Sequence, residues 1–352
     1  MKLAPVYQGL QSNSKISQKI IHTGQHYDIE LSGQFITEFD LPEPNVNLEI
    51  GSKGHLGQMS DILLGLDRYF EHHPTDMVVV YGDTNTTAAG AIAAAKLNIP
   101  IAHIEAGLRE WDKSIPEEVN KLLTDAVTDL YFCPSDTGVK NLKRSGITKR
   151  VYETGDVVIS YIHNNDHRVN EELSILNELN IKRHNYFLAT CHRAANTDTP
   201  YYLKEILTSF QALPDKVVFL LHPRTRSAIE NHGLDAYLDH ENILTTQPLS
   251  FWKTQCLIQN AKMVLTDSGG MIKEAYYHGK QSIILDQQTE WVEIVENGWS
   301  KIAGPSREKI LHYIENHIKP LVHPRLYFQP DAPKMISRII FDYLEGNEKQ
   351  TS

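Results

Sequence analysis

Residues 77–107 read MVVVYGDTNTTAAGAIAAAKLNIPIAHIEAG. A β-branched run, Met77-Tyr81, meets a glycine turn, passes into the alanine-rich stretch TNTTAAGAIAAAKL, and returns as the apolar run Ile101-Ile104. That is the order of a parallel βαβ unit. The pattern extends outward: Lys19-His22 before it, Leu130-Phe132 and a weaker run at Val151-Tyr152 after it. A second series holds Tyr186-Thr190, Val217-Leu221, Ile243-Leu244, Met263-Thr266 and Ser282-Leu285. Between the series, Ile162-Asn185 is rich in Asn, His, Glu and Arg and reads as a solvated helix and connector. The expected fold is α/β, with two Rossmann-like, doubly wound domains facing a cleft, 1–160 and 161–332, and an amphipathic helix from Pro333. The opening MKLAPVYQGLQ reads as a helix, where a doubly wound domain normally starts with a central strand and phosphate-binding turn. The first strand is therefore expected to be missing.

Length and composition agree with this reading. At roughly 100 to 200 residues per domain, 352 residues make about two domains. Hydrophobic residues at 41% and charged residues at 22% fit a globular chain rather than a disordered one. Asp plus Glu outnumber Lys plus Arg by 44 to 34, and a charge of -10 opposes nucleic-acid binding. Apolar runs fall far short of the ~20 residues a bilayer requires, and the N-terminus lacks a signal-peptide core, so a cytoplasmic protein without a membrane partner is expected. The three cysteines, Cys133, Cys191 and Cys256, are too far apart for a CxxC site and read as reduced thiols. None of the 17 histidines falls in an HExxH spacing, so no metal is expected.

Parallel sheets bind ligands outside the carboxyl ends of their strands, so polar residues there are the candidates. Asp83 follows MVVVYG and reads either as a cleft-facing carboxylate or as the cap of the next helix. Glu105 ends IAHI and suits proton transfer if partly desolvated; the structural alternative is an ion pair with Arg109 or a nearby lysine. Glu117 lies in Ser114-Ile115-Pro116-Glu117, a capping-box spacing that accounts for it without chemistry. His192 with Arg193, and His222 with Arg224, end successive strands of the second series and together suggest an anion site. Thr266-Asp267-Ser268-Gly269-Gly270 joins a strand to a helix, where small residues and a helix N-terminus favour phosphate. Glu274, one turn on, reads as a partner for sugar hydroxyls or as a solvated helix acid. Carboxylates in one domain and phosphate donors in the other describe a site for a sugar nucleotide.

The order of GDTNTT, HIEAGLR, PEEVNK, HR, HPRTR and TDSGG, with TGQHYD at Thr23-Asp28, resembles the non-hydrolysing UDP-N-acetylglucosamine 2-epimerase family. The likeness runs from Lys2 to about Gly304, and TEWVE at Thr289-Glu293 looks more like the branch acting on UDP-2,3-diacetamido-2,3-dideoxyglucuronate. The resemblance implies a GT-B architecture, a final helix at 333–352 returning to the first domain, and a homodimer. It also implies inversion at C2 by anti elimination of UDP to a 2-acetamidoglycal and re-addition after protonation on the other face, without a redox cofactor, for cell-surface polysaccharide precursors. By the same resemblance Asp83, Glu105 and Glu117 match catalytic carboxylates and His192 a catalytic-site histidine. Ser268, Gly269, Gly270 and Glu274 match diphosphate and ribose contacts, and Lys2 a basic residue near the diphosphate. Arg193, His222, Arg224 and Lys121 complete the expected substrate-binding set, while Gln25 and His26 match positions of a regulatory site in some bacterial members.

The sequence departs from the family pattern in places. Lys121 stands where arginine is usual, keeping the charge and losing bidentate geometry. Ala195 replaces an acid, Asp286-Gln287 stands where Arg-Asp is common, Thr254 replaces an aromatic residue, and the Gly-x-Arg-Pro turn is absent. Two other readings follow: a truncated or degenerate sugar-nucleotide-binding paralogue without turnover, and a GT-B glycosyltransferase.

Overall fold

A computed structural model describes residues 1–24, 36–51 and 54–346. The chain divides into two compact units, 1–164 with 327–352, and 165–326.

In the N-terminal unit, helix Leu3–Gln11 leads to β1 (Ile21–His22), which pairs in parallel with β2 (Val46–Asn47). A second, four-stranded parallel sheet has the order β3-β4-β5-β6, with β3 Val78–Tyr81, β4 Ile101–Ile104, β5 Leu130–Cys133 and β6 Val151–Glu153. Helices follow the strands, as parallel pairing demands. Every residue of β4 and β5 is buried, the mark of a parallel sheet covered on both faces. Helix Asn85–Lys96 packs on helix His55–His72, bringing Ala89 and Ala93 against Ile62 and Leu66. The last helix, Ala332–Leu344, lies on Leu3–Gln11.

The C-terminal unit holds one six-stranded parallel sheet in the order β12-β11-β10-β7-β8-β9. Its strands are β7 Tyr186–Thr190, β8 Lys216–Leu220, β9 Ile243–Thr246, β10 Met263–Thr266, β11 Ser282–Ile284 and β12 Ser300–Ile302. Counted from β7, this is the doubly wound order 3-2-1-4-5-6 with its switch point between β7 and β10. There Thr190 Oγ1 and Thr266 Oγ1 lie 2.6 Å apart. The core gathers Phe187, Val217, Phe219 and Leu265 with Leu203, Ile206 and Phe210 of helix Pro200–Gln211.

The sequence reading missed β2 and β12. The first is two residues just after a proline, and the second carries Ser300 and Lys301 at a sheet edge, so neither shows an apolar run. The run at Lys19-His22 forms a strand only at Ile21–His22. Gln25 and His26 lie outside the described residues.

Candidate active site

In the N-terminal unit the turns after β3 and β4 carry the acids. Thr84, not Asp83, caps helix Asn85–Lys96, its side chain accepting from Thr87 N–H. The capping alternative for Asp83 is thereby removed. The Asp83 carbonyl accepts from Asn120 Nδ2 at 3.0 Å, and its Oδ2 lies 3.6 Å from Lys121 Nζ. Lys121 is 4% exposed and also sits 3.5 Å from Glu110 Oε2, so the lysine at the usual arginine position bridges two carboxylates.

Glu105 has φ 72°, a left-handed backbone that a side-chain-bearing residue adopts at a cost of about 1–2 kcal/mol. Its N–H and that of Ala106 both donate to the Phe132 carbonyl, turning the chain abruptly at the strand end. The largely buried Glu105 carboxylate pairs with Lys2, not Arg109. Arg109 instead reaches Asp125 at 2.6 Å. Gly107, at φ 81°, completes the turn: a Cβ there would stand 2.3 Å from the Gly138 carbonyl oxygen.

Glu117 opens helix Pro116–Val127 and is exposed. The expected capping box is not formed. Ile115 is the N-cap, and Ser114 Oγ donates to Asp112 Oδ1 at 2.7 Å, because the Asp112 turn takes the hydroxyl first. Its neighbour Glu118 is buried, with Oε2 accepting from Glu110 N–H at 2.8 Å and Oε1 without a partner among the described residues. The whole inward face of this helix is polar: Glu118, Asn120, Lys121, Thr124 and Asp125 are buried, while Val119 and Leu123 point out. Sequence reasoning missed Asn120 and Asp125, although this reversed amphipathic spacing was available as a signal.

In the C-terminal unit the ends of β7 and β10 meet at the switch point. Asp267, 1% exposed, accepts from His192 N–H at 2.9 Å, Arg193 N–H at 2.9 Å and Asn196 Nδ2 at 3.0 Å. It thereby fixes the turn that carries His192 and Arg193. The His192 ring lies 5.3 Å from that of His222. Ser268 caps helix Gly269–Tyr277, its side chain accepting from Met271 N–H, and the first-turn N–H groups of a helix start favour an anion in general. Glu274 is buried, not solvated, and accepts from Gln255 Nε2 at 2.7 Å.

The arginines here have carboxylate partners. Arg193 donates to Asp286 at 2.7 Å, which gives the unusual Asp286 a structural role. His222 caps helix Pro223–Asn231 through Nδ1 and Arg224 donates to Asp198 at 2.8 Å, an arrangement that holds the Asp198 carboxyl below its ordinary pKa. Among the described residues no group of three or more His, Cys, Asp or Glu side chains is arranged to hold a metal.

Two parallel α/β units, one with carboxylates at its strand ends and one with a small-residue turn at its switch point, place the chain in the Rossmann-like class. The chain belongs to the UDP-N-acetylglucosamine 2-epimerase family, which it matches over residues 8–341. It is 42% identical to a UDP-N-acetylglucosamine 2-epimerase homolog of Methanococcus maripaludis, over 89% of this chain and 88% of that one. It is 37% identical to the UDP-2,3-diacetamido-2,3-dideoxy-D-glucuronate 2-epimerase of Pseudomonas aeruginosa, over 88% and 87%. Its fold is similar to that of Methanocaldococcus jannaschii UDP-GlcNAc 2-epimerase in complex with UDP-GlcNAc and UDP, with TM-score 0.91 and 32% identity over 97% of this chain and 96% of that one.

Proposed function

We propose that this protein inverts C2 of a UDP-N-acetylhexosamine, either UDP-N-acetylglucosamine or its 2,3-diacetamido uronate counterpart. The observation that carries the reading is the placing of Asp83 and Glu105 at adjacent strand ends, each beside a lysine, together with the Asp267-held turn and the Ser268-Gly270 helix start at the other unit's switch point.

The chemistry follows from those groups. C2–H is weakly acidic, so its removal requires a positioned base, and departure of UDP requires stabilisation of developing negative charge. A carboxylate of the N-terminal unit takes the C2 proton as the C1–O bond to UDP breaks, leaving a C1=C2 glycal. Protonation of C2 on the opposite face and return of UDP to C1 complete the inversion. Asp83, Glu105 and Glu117 are the acid–base candidates, and Lys2 and Lys121 lie beside two of them. Ser268, Gly269 and Gly270 hold the diphosphate, Glu274 the ribose, and His192 with Arg193 the leaving phosphate oxygen.

We further propose a homodimer. Val119 and Leu123 are 38% and 41% exposed on the outer face of helix Pro116–Val127, and Leu56 and Leu64 of helix His55–His72 are 86% and 53% exposed. Apolar residues concentrated on outer helix faces suit an isologous contact.

Incubation with either UDP-sugar in deuterium oxide is the test of the activity. Deuterium appears at C2 together with the C2 epimer; no exchange with both substrates sinks the reading.

A further inference from the structure

We infer that Asp125, acting directly and through His103, registers the Asp83 turn against the Glu105 turn, an inference that rests on the epimerase reading. His103 on β4 and Asp125 on helix Pro116–Val127 are each 1% exposed. His103 Nδ1 meets Asp125 Oδ1 at 2.7 Å, and its Nε2 meets the Gly82 carbonyl oxygen at 2.8 Å. A carbonyl oxygen and a carboxylate only accept, so both ring N–H groups donate. The second Asp125 oxygen takes Arg109 at 2.6 Å and the Gly107 N–H at 3.2 Å. Burial alone would raise the Asp125 carboxyl, but the hydrogen bonds and charges of His103 and Arg109 outweigh it and hold the group below its ordinary value.

Gly82 immediately precedes Asp83, and Gly107 lies two residues after Glu105. One buried carboxylate therefore reaches both acid-bearing turns, the first through an imidazole and the second directly. The turns sit on different strands, whose ladder ends at Tyr81 and Ile104 with the Gly82 N–H bond to Ile104 O, and the Asp125 link continues that tie beyond the ladder. Proton transfer depends steeply on placement, with a misplacement of about 1 Å lowering rate about 100-fold. His103 and Asp125 are positioning residues, since neither is placed at the reacting atoms.

The test uses the full chain. His103→Phe keeps the ring and removes both donors; His103→Gln keeps an N–H for the Gly82 carbonyl. We expect His103→Phe to lower kcat about 100-fold, His103→Gln to recover most of that loss, and both to leave KM and UDP affinity by calorimetry within about twofold of wild type. A folded His103→Phe with unchanged kcat overturns the inference, as does a loss shared equally by kcat and UDP affinity. If the variants do not fold, nitrogen NMR of the wild-type ring decides: two protonated ring nitrogens at neutral pH support the inference and one overturns it. That signal is independent of turnover, so wild-type protein lacking C2 exchange would fail the functional reading alone.

Discussion

Replacing Asp267 with asparagine removes one acceptor oxygen from a carboxylate that receives two backbone N–H groups and the Asn196 amide. Hydrogen bonds to a charged acceptor are worth about 1.5–3 kcal/mol each, and a buried donor left without one costs about 1–3 kcal/mol. Asparagine keeps one oxygen, which serves one or two of the three donors, and turns an N–H group toward the rest. At 1% exposure water cannot easily take over. The expected loss is about 3 kcal/mol of stability in the C-terminal unit. Trp252, Trp291 and Trp299 are buried in that unit, so tryptophan fluorescence in a urea titration follows its unfolding. The same substitution loosens the His192-Arg193 turn, and UDP affinity by calorimetry is expected to fall about tenfold, or about 1.4 kcal/mol. A stability change under about 1 kcal/mol with unchanged UDP affinity would refute the claim that this carboxylate builds the anion turn.

Gly107→Ala forces a Cβ to within 2.3 Å of the Gly138 carbonyl in a left-handed turn, and a destabilisation of more than about 3 kcal/mol is expected in thermal unfolding, with C2 exchange falling in parallel. His278, whose Nε2 meets Gln255 Oε1 at 3.0 Å, is pushed down to about 3 by burial, with the Lys280 charge adding to the effect. The unfolded chain therefore takes up a proton near pH 6.5 that the folded chain refuses until about pH 3, so stability is full above pH 6.5 and declines as pH falls. His278→Gln should flatten that acid-side decline in urea midpoints measured between pH 7 and pH 4 (roughly the window set by the two values). The double substitution Val119→Glu, Leu123→Glu should convert a dimer to a monomer in sedimentation, without changing the far-ultraviolet dichroism; an unchanged sedimentation coefficient speaks against that interface.

Much of the fold was legible because fully buried parallel strands are short apolar runs bounded by turns. IAHI and YFLAT announce themselves in this way, and MVVVYG, half-buried, does so by its β-branched run. The edge strand Ser300–Ile302 was not legible, since an edge tolerates polar residues and blurs the run. Strand-end position likewise singled out Asp83, Glu105, His192 and Ser268. Their partners were hidden. The pairing of Lys2 with Glu105 spans 103 positions of sequence, and nothing in a local pattern foretells it. Asp125 was overlooked because a charged residue in the middle of a helix normally reads as solvated. Only the outward Val119 and Leu123 betray that this helix is turned inside out.

The pairing of Lys2 with Glu105 has a practical side for anyone producing the protein. The Lys2 ammonium touches the Glu105 carboxylate proposed for proton transfer, so a reagent that acylates lysines would strip a countercharge from that acid while it labels the surface. Amine-directed labelling or cross-linking would therefore yield a preparation that looks inert for reasons owed entirely to the reagent.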